Sequence, residues 1–248
     1  MKPKNCNIIH LSEVTSTNKY AKDLFRDGRP DEGSVVLAAF QTAGKGLDKN
    51  SWESEPGKNI LMSMILYPDF LYVAMQFSLS MSIALGIIDF LEEYLPDEDL
   101  KIKWPNDIFV GNKKIGGILI NNEIMGNSFE HAIAGIGINV NQEDFGKGLP
   151  DAVSLTMITG QQYSVEKLTQ RLCSCLRKRY EQMKTSLFNH LRNEYHAKLL
   201  GMGEWRQFHY QGKQIDARIM GINEFGKLLL ETKNGPIECD LKEITFLF

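Results

Sequence analysis

Two apolar stretches that contain glycine decide the fold of this chain: Lys114-Ile115-Gly116-Gly117-Ile118-Leu119-Ile120 and Gly135-Ile136-Gly137-Ile138-Asn139-Val140-Asn141. Each stretch predicts a β-strand, and the two-residue period of a strand puts Gly135 and Gly137 on one face and the isoleucines on the other. Glycine inside a strand usually marks the close approach of a ligand or of another part of the chain. The stretches therefore predict neighbouring strands with a glycine-lined slot for a flat apolar ligand, or tight packing against a helix over residues 77–91.

Outward from these strands, apolar periodicity indicates an α+β domain followed by a small all-β unit. Helices are predicted over residues 15–26, 70–94, 165–183 and 187–200, and further strands over 34–40, 60–66 and 100–110. After residue 200, apolar runs alternate with glycine and asparagine turns, which is typical of a small antiparallel barrel. These runs are 205–210, 215–220, 227–231, 237–240 and 244–248. The predicted organisation is one domain over residues 1–200 and a second over 201–248.

The composition is that of an ordinary globular protein and disfavours several functional classes. The 248 residues are 43% hydrophobic and 24% charged, and 28 Lys and Arg against 31 Asp and Glu give a net charge of −3. This near balance disfavours a nucleic-acid-binding protein, which usually carries a basic surplus. Serines and Asp89 interrupt the apolar stretch 77–91, so no membrane-spanning segment is expected. Four cysteines without a CxxC pair, and no signal-peptide pattern, predict reduced thiols in a cytoplasmic protein.

The most distinctive motif is Lys103-Trp104-Pro105-Asn106-Asp107. Because Pro105 cannot donate a hydrogen bond to a β-ladder, the proline should interrupt the strand just before Asn106 and Asp107. An asparagine amide can bind the edge of a purine, and a carboxylate can bind a hard cation such as Mg²⁺. The motif therefore predicts a binding site, with a structural kink at a strand edge as the alternative.

Two polar segments add candidate binding groups. Ala43-Gly44-Lys45-Gly46 follows a predicted strand, so its backbone N–H groups and Lys45 could bind an anion, although the spacing fits neither a P-loop nor a dinucleotide-binding fingerprint. A flexible solvated loop is the alternative. Ser16-Thr17-Asn18 could cap a helix or hydrogen-bond a neutral polar ring. The five histidines accompany no nucleophile motif and are given no catalytic role.

Taken in order, these motifs resemble those of the biotin protein ligases, also called biotin–[acetyl-CoA-carboxylase] ligases. The resemblance extends over essentially the whole chain, because the final Lys242-Glu243-Ile244 is also similar to the carboxy-terminal domain of that family. It implies a mixed, mostly antiparallel sheet with helices, like that of class II aminoacyl-tRNA synthetases, and a small carboxy-terminal β-barrel. It also implies a two-step reaction, in which ATP converts biotin to biotinyl-adenylate and a lysine of a biotin carboxyl carrier domain then accepts the biotinyl group.

The resemblance further implies roles for individual residues. Those that would bind biotin are Ser16, Thr17, Asn18, Gln41, Gly44, Lys45, Gly46, Leu47, Lys114, Gly116, Gly117 and Gly137. Those that would bind ATP are Trp52, Lys103, Asn106, Asp107 and Asn139. The catalytic set would be Lys114, Lys45, Lys103 and Asp107, with Asp107 also a ligand for Mg²⁺. Biotin and ATP would be substrates, and no permanently bound cofactor is expected.

One segment departs from the family pattern. Where relatives usually carry Gly-Arg-Gly-Arg-Arg-Gly, this chain has Gly44-Lys45-Gly46-Leu47-Asp48-Lys49. A lysine keeps the charge of the first arginine but loses its bidentate geometry. We therefore expect the loop to close less firmly over biotinyl-adenylate, with Lys49 compensating in part.

Several partners and alternatives follow from the same comparison of motifs. Because the first motif begins at Ser16, the chain is expected to lack the DNA-binding domain of many relatives, and no membrane partner is expected. A homodimer is one option that the sequence does not decide.

The alternatives to this function are a lipoate or octanoate ligase of the same fold, and a protein that binds biotin without catalysis. The cysteine-dependent octanoyl transferases are disfavoured, because no cysteine lies in a glycine or lysine motif.

Overall fold

A seven-stranded mixed sheet forms the centre of the molecule, which a computed structural model describes over residues 7–47, 50–185 and 188–247. Its strands are β1 (Ile8–Leu11), β2 (Val35–Ala38), β3 (Ile60–Leu66), β4 (Leu100–Lys103), β5 (Asp107–Val110), β6 (Lys113–Met125) and β7 (Ser128–Ile138). The spatial order is β1-β2-β3-β7-β6-β5-β4. β1 and β2 are parallel, and the other neighbouring pairs are antiparallel. The glycine-containing strands β6 and β7 are direct neighbours, as predicted.

Helices cover the sheet on both faces, but unequally. They are α1 (Thr17–Asp23), α2 (Phe77–Glu92), α3 (Leu155–Thr159), α4 (Val165–Lys184) and α5 (Phe188–Lys198), with 3₁₀ turns at Leu24–Arg26 and Val73–Met75. The buried helix α2 contacts α4, α5 and strands β4 to β6, and its apolar residues join those of the sheet in one core. The short helix α1 packs on the opposite face, against β2, β3 and β7. This unequal cover leaves room beside α1 for a cavity.

The segment Val73–Glu92 is long and apolar enough to cross a membrane by length and composition, contrary to the expectation from its interrupting polar residues. In the fold, 67% of its most apolar window is buried inside the protein. Gly86 lies directly against α4, where an added Cβ would come within 3.0 Å of Leu176 Cδ2. These contacts are those of a core helix, and its small residues serve helix–helix packing.

A second, five-stranded antiparallel sheet follows α5. Its strands are β8 (Trp205–Tyr210), β9 (Lys213–Ile222), β10 (Leu228–Thr232), β11 (Gly235–Cys239) and β12 (Ile244–Phe246), in the order β11-β10-β9-β8-β12. Two hydrogen bonds fix it to the first sheet and its helices: Trp104 Nε1 donates to the Gly226 carbonyl at 2.9 Å, and the Ile222 N–H donates to His196 Nε2 at 3.0 Å. The predicted fold class is confirmed, whereas a domain boundary at residue 200 stays a prediction.

The sequence prediction was wrong in three local details. The predicted strand over residues 100–110 is a hairpin of β4 and β5, which reverses at Trp104–Asn106 and contains a cis Trp104–Pro105 bond. Because Pro105 lacks an N–H, the ladder breaks there and the chain turns back. β1 and α3 are too short to show a periodic pattern, and the sequence analysis missed both.

Two cysteines of the described ranges agree with the prediction of reduced thiols. Cys175 and Cys239 are buried and free, and Cys173 is buried. Burial raises the pKa of the Cys239 thiol to about 11, so this thiol stays protonated and unreactive at neutral pH. Cys6 lies outside the described residues.

Candidate functional site

A cavity of about 330 Å³ lies between the α1 face of the first sheet, the loop before β3 and strand β12. It gathers most of the residues that the sequence predicted for a site. Those lining it are Ser16, Thr17, Asn18, Gln41, Lys45, Gly46, Leu47, Trp52, Lys103, Asn106, Asp107, Lys114, Gly117 and Gly137. These residues come from segments that lie as much as 121 positions apart, between Ser16 and Gly137, so the fold brings together what is distant in sequence.

One end of the cavity is built from neutral polar side chains. Thr17 donates both its backbone N–H and its hydroxyl to Gln41 Oε1, at 2.8 and 3.1 Å. The Asn18 amide nitrogen donates to the Leu119 carbonyl at 3.0 Å, which attaches α1 to β6. Ser16 precedes α1 but its side chain makes no capping hydrogen bond, so a purely capping role for this serine is not what the structure shows. We call Ser16, Thr17, Asn18, Gln41 and Ser63 the neutral end.

Ser63 belongs to this end although the sequence analysis missed it. Its hydroxyl lies 2.7 Å from Thr17 Oγ1 and donates to Asn18 Oδ1 at 2.6 Å. The signal was present in the sequence, since Ser63 is the one polar residue in the otherwise apolar and fully buried strand β3. A buried hydroxyl needs a hydrogen-bond partner, and a site on the same sheet face supplies it.

The glycine-lined face of β6 and β7 is occupied by protein side chains. A Cβ at Gly135 would lie 2.4 Å from Asn18 Oδ1, and a Cβ at Gly137 would lie 2.5 Å from Trp52 Cε2. The predicted slot for a flat apolar group therefore exists, but the indole of Trp52 lies flat in it. The Trp52 Nε1–H is buried and has no hydrogen-bond partner among the described residues. Such a donor is available to a ligand.

The other end of the cavity carries charge. Lys114 Nζ lies 2.7 Å from Asp107 Oδ1 and 5.6 Å from the Trp52 ring centroid. Lys103 Nζ lies 5.4 Å from the Phe246 ring centroid, and Lys45 comes from the loop. The hairpin turn at residues 104–106 and the β5–β6 pairing bring these groups together, because Asp107 pairs with both Lys103 and Gly117 in the sheet. We call Lys45, Lys103, Lys114 and Asp107 the charged end.

Burial lowers the pKa of Lys103. The nearby ammonium group of Lys114 lowers this pKa further, whereas the carboxylate of Asp107 raises it in part. Two ammonium groups held near each other with one carboxylate form an electropositive site. A bound anion would remove the repulsion between them. The arrangement can therefore bind phosphate or carboxylate groups and stabilise negative charge that develops during a reaction.

The loop before β3 folds back over the cavity through backbone hydrogen bonds. Gly46 N–H donates to the Asn50 carbonyl at 2.7 Å, and Trp52 N–H donates to the Gly44 carbonyl at 3.0 Å. These hydrogen bonds join the two arms of the loop, and the alternative of a flexible solvated loop stays untested. Asp48 and Lys49, on which the predicted looser closure depends, lie outside the described residues.

Three predicted site residues do not line the cavity. Asn139 is buried, and its side chain donates to the Val153 carbonyl at 3.0 Å, so it positions the segment after β7. Gly44 leaves room for the Trp52 carbonyl oxygen, which would lie 2.5 Å from a Cβ added at Gly44. A Cβ added at Gly116 would lie 3.0 Å from the Gly137 carbonyl oxygen. In this structure all three act on the residues that line the cavity, and their contacts with biotin or ATP stay predictions.

The second sheet supplies lining residues to which the sequence analysis gave no role in the site, although it quoted Lys242-Glu243-Ile244 as part of the resemblance. Strand β12 and the turn before it line the cavity with Lys242, Ile244, Thr245 and Phe246. Because these residues lie at the far end of the chain, only the packing of the two sheets reveals their place in the site. The cavity is thus formed jointly by both sheets.

Comparison with known proteins agrees with this geometry. Residues 11–139 match the profile of the Biotin/lipoate A/B protein ligase family. The chain is 34% identical over 235 residues to the bifunctional ligase/repressor BirA of Bacillus spizizenii, an alignment that covers 92% of this chain and 70% of that protein. It is 29% identical over 216 residues to the biotin–[acetyl-CoA-carboxylase] ligase of Paracoccus denitrificans, which covers 85% of this chain and 89% of that protein.

Among solved structures, the biotin protein ligase from Aquifex aeolicus in complex with biotin and ATP aligns with a TM-score of 0.81 at 27% identity, covering 97% of this chain and 98% of that chain. The profile match spans more than half of the chain, and the Bacillus relative aligns over most of both lengths. The resemblance that the motifs suggested is thereby confirmed, and the chain belongs to the biotin/lipoate A/B protein ligase family.

Proposed function

We propose that this chain is an ATP-dependent ligase that activates biotin and transfers it to a lysine of a biotin carboxyl carrier domain. In the first step a carboxylate oxygen of biotin bonds to the α-phosphorus of ATP, and the bond to pyrophosphate breaks. In the second step the lysine amine attacks the acyl carbonyl, loses a proton and displaces AMP. The similarity to the Aquifex ligase bound to biotin and ATP supports both substrates.

The convergence of three lysines on one carboxylate-containing cavity is the observation that carries this proposal. Joining a carboxylate to a triphosphate brings two anions into contact. Their mutual repulsion opposes the reaction unless cations lie close to both. Lys114, Lys103 and Lys45 offer ammonium groups in a partly dehydrated site, where such contacts are stronger than in water. Their assignment to the reacting groups is part of this proposal.

The neutral end of the cavity favours a ureido ring over a dithiolane ring. Thr17, Asn18 and Gln41 present hydroxyl and amide groups, and a neutral ring with N–H donors and a carbonyl acceptor can pair with such groups. The disulfide ring of lipoate offers no N–H donor to them. We therefore assign biotin, and treat lipoate as an outcome of the test.

Mg²⁺ enters this proposal as the partner of ATP. Asp107 is the acidic side chain that lines the described part of the cavity, and no cluster of three or more metal-binding side chains occurs among the described residues. Mg²⁺ commonly binds one or two carboxylates together with substrate phosphates and keeps several waters. Asp107 therefore fits an ion that arrives with ATP, and that ion would neutralise phosphate charge.

The test is incubation of the purified chain with ATP, biotin and a carrier domain. We expect pyrophosphate release with biotin, and a carrier whose mass increases by one biotinyl group. Pyrophosphate release with lipoate but not with biotin would identify the lipoate alternative instead. Binding of biotin without pyrophosphate release would identify a non-catalytic binding protein. Homodimer formation and a cytoplasmic location stay predictions.

A further inference from the structure

One face of β7 carries a row of residues that contacts α1 and the turn after it. Because side chains alternate along a strand, His131, Ile133 and Gly135 point to the same face of the sheet. A Cβ added at Gly135 would collide with the Asn18 amide, so the first turn of α1 lies directly on this glycine. Further along, Ile133 and Ala21 belong to one small apolar cluster. The row therefore sets where α1 lies on the sheet.

An aromatic stack forms the far end of this row. The imidazole of His131 lies on the Phe25 ring, with 3.8 Å between the centroids and 18° between the planes. Phe25 belongs to the 3₁₀ turn Leu24–Arg26 that follows α1, and its ring also meets the Tyr67 ring edge to face at 6.3 Å. Stacked rings stabilise a contact beyond the area that they bury. The stack thus fastens the carboxy-terminal end of α1 to β7.

The imidazole of His131 is a titratable group in a place that suits its neutral form. His131 is 6% exposed, and its Nδ1 atom is buried without a hydrogen-bond partner among the described residues. A neutral imidazole with its proton on Nε2 leaves Nδ1 without a hydrogen. Protonation would add an N–H at Nδ1 that has no acceptor, and burying a charge with an unpaired donor is costly. The charged ring is therefore stabilised by moving toward water.

The surroundings of His131 act on its titration in both directions. Burial has the largest effect and lowers the pKa of His131 below its ordinary value of about 6.5. Glu130 on β7 and Glu123, which is opposite on β6, raise this pKa in part, whereas Lys22 of α1 lowers it. Lys22 Nζ lies 3.0 Å from Glu123 Oε2, so that carboxylate already has a cation as its partner. The other charged or titratable groups lining the same cleft are Lys19, Asp23, Arg26, Arg29 and Tyr67.

We propose that His131 is a positioning residue for biotin, whose neutral imidazole holds α1 in place through Phe25 and whose protonation releases the end of α1 and weakens biotin binding. This inference rests on the proposed function, because biotin would contact Thr17 and Asn18 of the same helix. His131 is not among the described residues that line the cavity, so it acts through α1. Biotin binding should be independent of this group above about pH 6.5 and should weaken as the pH falls below that value.

The test is calorimetric binding of biotin to the full chain, without ATP, between pH 7.5 and pH 5. The Kd of the unmodified protein should rise by about fivefold as the pH falls, because the biotin-bound form disfavours the proton on His131. His131→Phe keeps a ring on Phe25 that does not titrate. Its Kd at pH 7.5 should stay within about twofold of that of the unmodified protein, and should rise by less than about twofold at pH 5. Protonation of the biotin carboxylate affects all proteins equally.

The matched control is His10→Phe, because His10 is an exposed histidine on β1 of the same sheet. This variant should retain the full rise in Kd. A rise of equal size in the unmodified protein and in His131→Phe would overturn the inference.

NMR titration of the histidine signals gives a second measurement, on the unmodified protein. Linkage is reciprocal, so saturating biotin should lower the pKa of His131 further. The His131 signal is identified by its absence from the spectrum of His131→Phe or His131→Gln. A pKa of His131 that biotin leaves unchanged would contradict the inference while the proposed function stands. If the unmodified protein binds no biotin at pH 7.5, the proposed function itself is wrong and the inference falls with it, so the two failures are distinguished.

Discussion

The neutral end and the charged end of the cavity are built on opposite principles. At the neutral end, Thr17, Asn18 and Ser63 satisfy one another and the Gln41 oxygen through hydrogen bonds before any ligand arrives. At the charged end, like charges lie near one another, and Lys114 has Asp107 as its ion-pair partner. The polar groups of the neutral end are largely held by one another, whereas the like charges of the other end are stabilised when an anion binds.

This difference assigns separate tasks to the two ends. A hydrogen-bonded network with fixed geometry suits recognition of a neutral ring, because little reorganisation is needed on binding. An excess of ammonium groups suits a reaction between anions, because it stabilises charge that develops in the transition state. The two ends also differ in their surroundings, since Phe246 of the second sheet lies beside Lys103 of the charged end.

The largest expected effect is at the charged end. Lys114→Ala removes the ammonium group closest to Asp107 and leaves that carboxylate to repel the substrates, so adenylate formation should fall by about 10²–10³ in rate. The measurement is pyrophosphate release with saturating biotin and ATP. The matched control is Lys113→Ala, since Lys113 is exposed and absent from the cavity lining. Turnover of Lys114→Ala near that of the control would refute the assignment of Lys114.

A pair of substitutions on β7 tests whether the ends are separable. Gly135→Ala would displace the Asn18 amide, and Gly137→Ala would displace the Trp52 indole. We expect the first to raise the KM for biotin and the second to raise the KM for ATP, each by roughly tenfold, because a contact is moved by about an ångström. Steady-state kinetics with each substrate varied in turn measures both constants. Each variant is the control for the other, and equal changes in both constants would break the comparison.

The loop that covers both ends should show a smaller effect. Leu47 lines the cavity where relatives usually carry an arginine, so Leu47→Arg adds a cation near biotinyl-adenylate. Release of the intermediate should slow by several-fold, as followed by dilution of a preformed complex. Leu47→Met, which adds no charge, should leave the release rate unchanged. An equal release rate in all three proteins would show that the loop sequence does not control retention.

The smallest effect concerns the contact between the sheets. Burial, with a smaller contribution from Arg192, lowers the pKa of His196, whose Nε2 accepts the Ile222 N–H. Since the unfolded imidazole binds a proton more readily, this group stabilises the fold above about pH 6.5 and loses that stabilisation as the pH falls. His196→Gln keeps an acceptor that does not titrate. Between pH 7.5 and pH 5, the Tm of this variant should therefore fall by about 2–4 °C less than the Tm of the unmodified protein.

The control for this experiment is His190→Gln, because His190 is on the same helix but is largely exposed. It should retain the acid-dependent decrease in Tm of the unmodified protein. If His196→Gln shows the same decrease as His190→Gln, the hydrogen bond to Ile222 does not contribute to the pH dependence of the contact between the sheets.

Much of the fold could be predicted because strands and helices leave periodic patterns. The alternation of Gly135, Ile136, Gly137 and Ile138 predicted a strand with one small-residue face, and the structure has that face. The interruption at Pro105 was predicted, but the hairpin within residues 100–110 was missed because each arm has only four residues, and only the partners of each strand separate a hairpin from one long strand. Local patterns show that a strand forms, whereas pairing depends on residues elsewhere.

The candidate site divides in the same way. By itself, the sequence determined the family and most of the lining residues, because the chemistry of anion and amide recognition requires particular residue types in short motifs. Only the tertiary structure decided that Trp52 lies on the glycines, that the Asn139 side chain donates to the Val153 carbonyl instead of lining the cavity, and that Lys242 lines it from the second sheet. The physical reason is that such contacts join segments far apart along the chain, whose distances are set by the packing of the whole core.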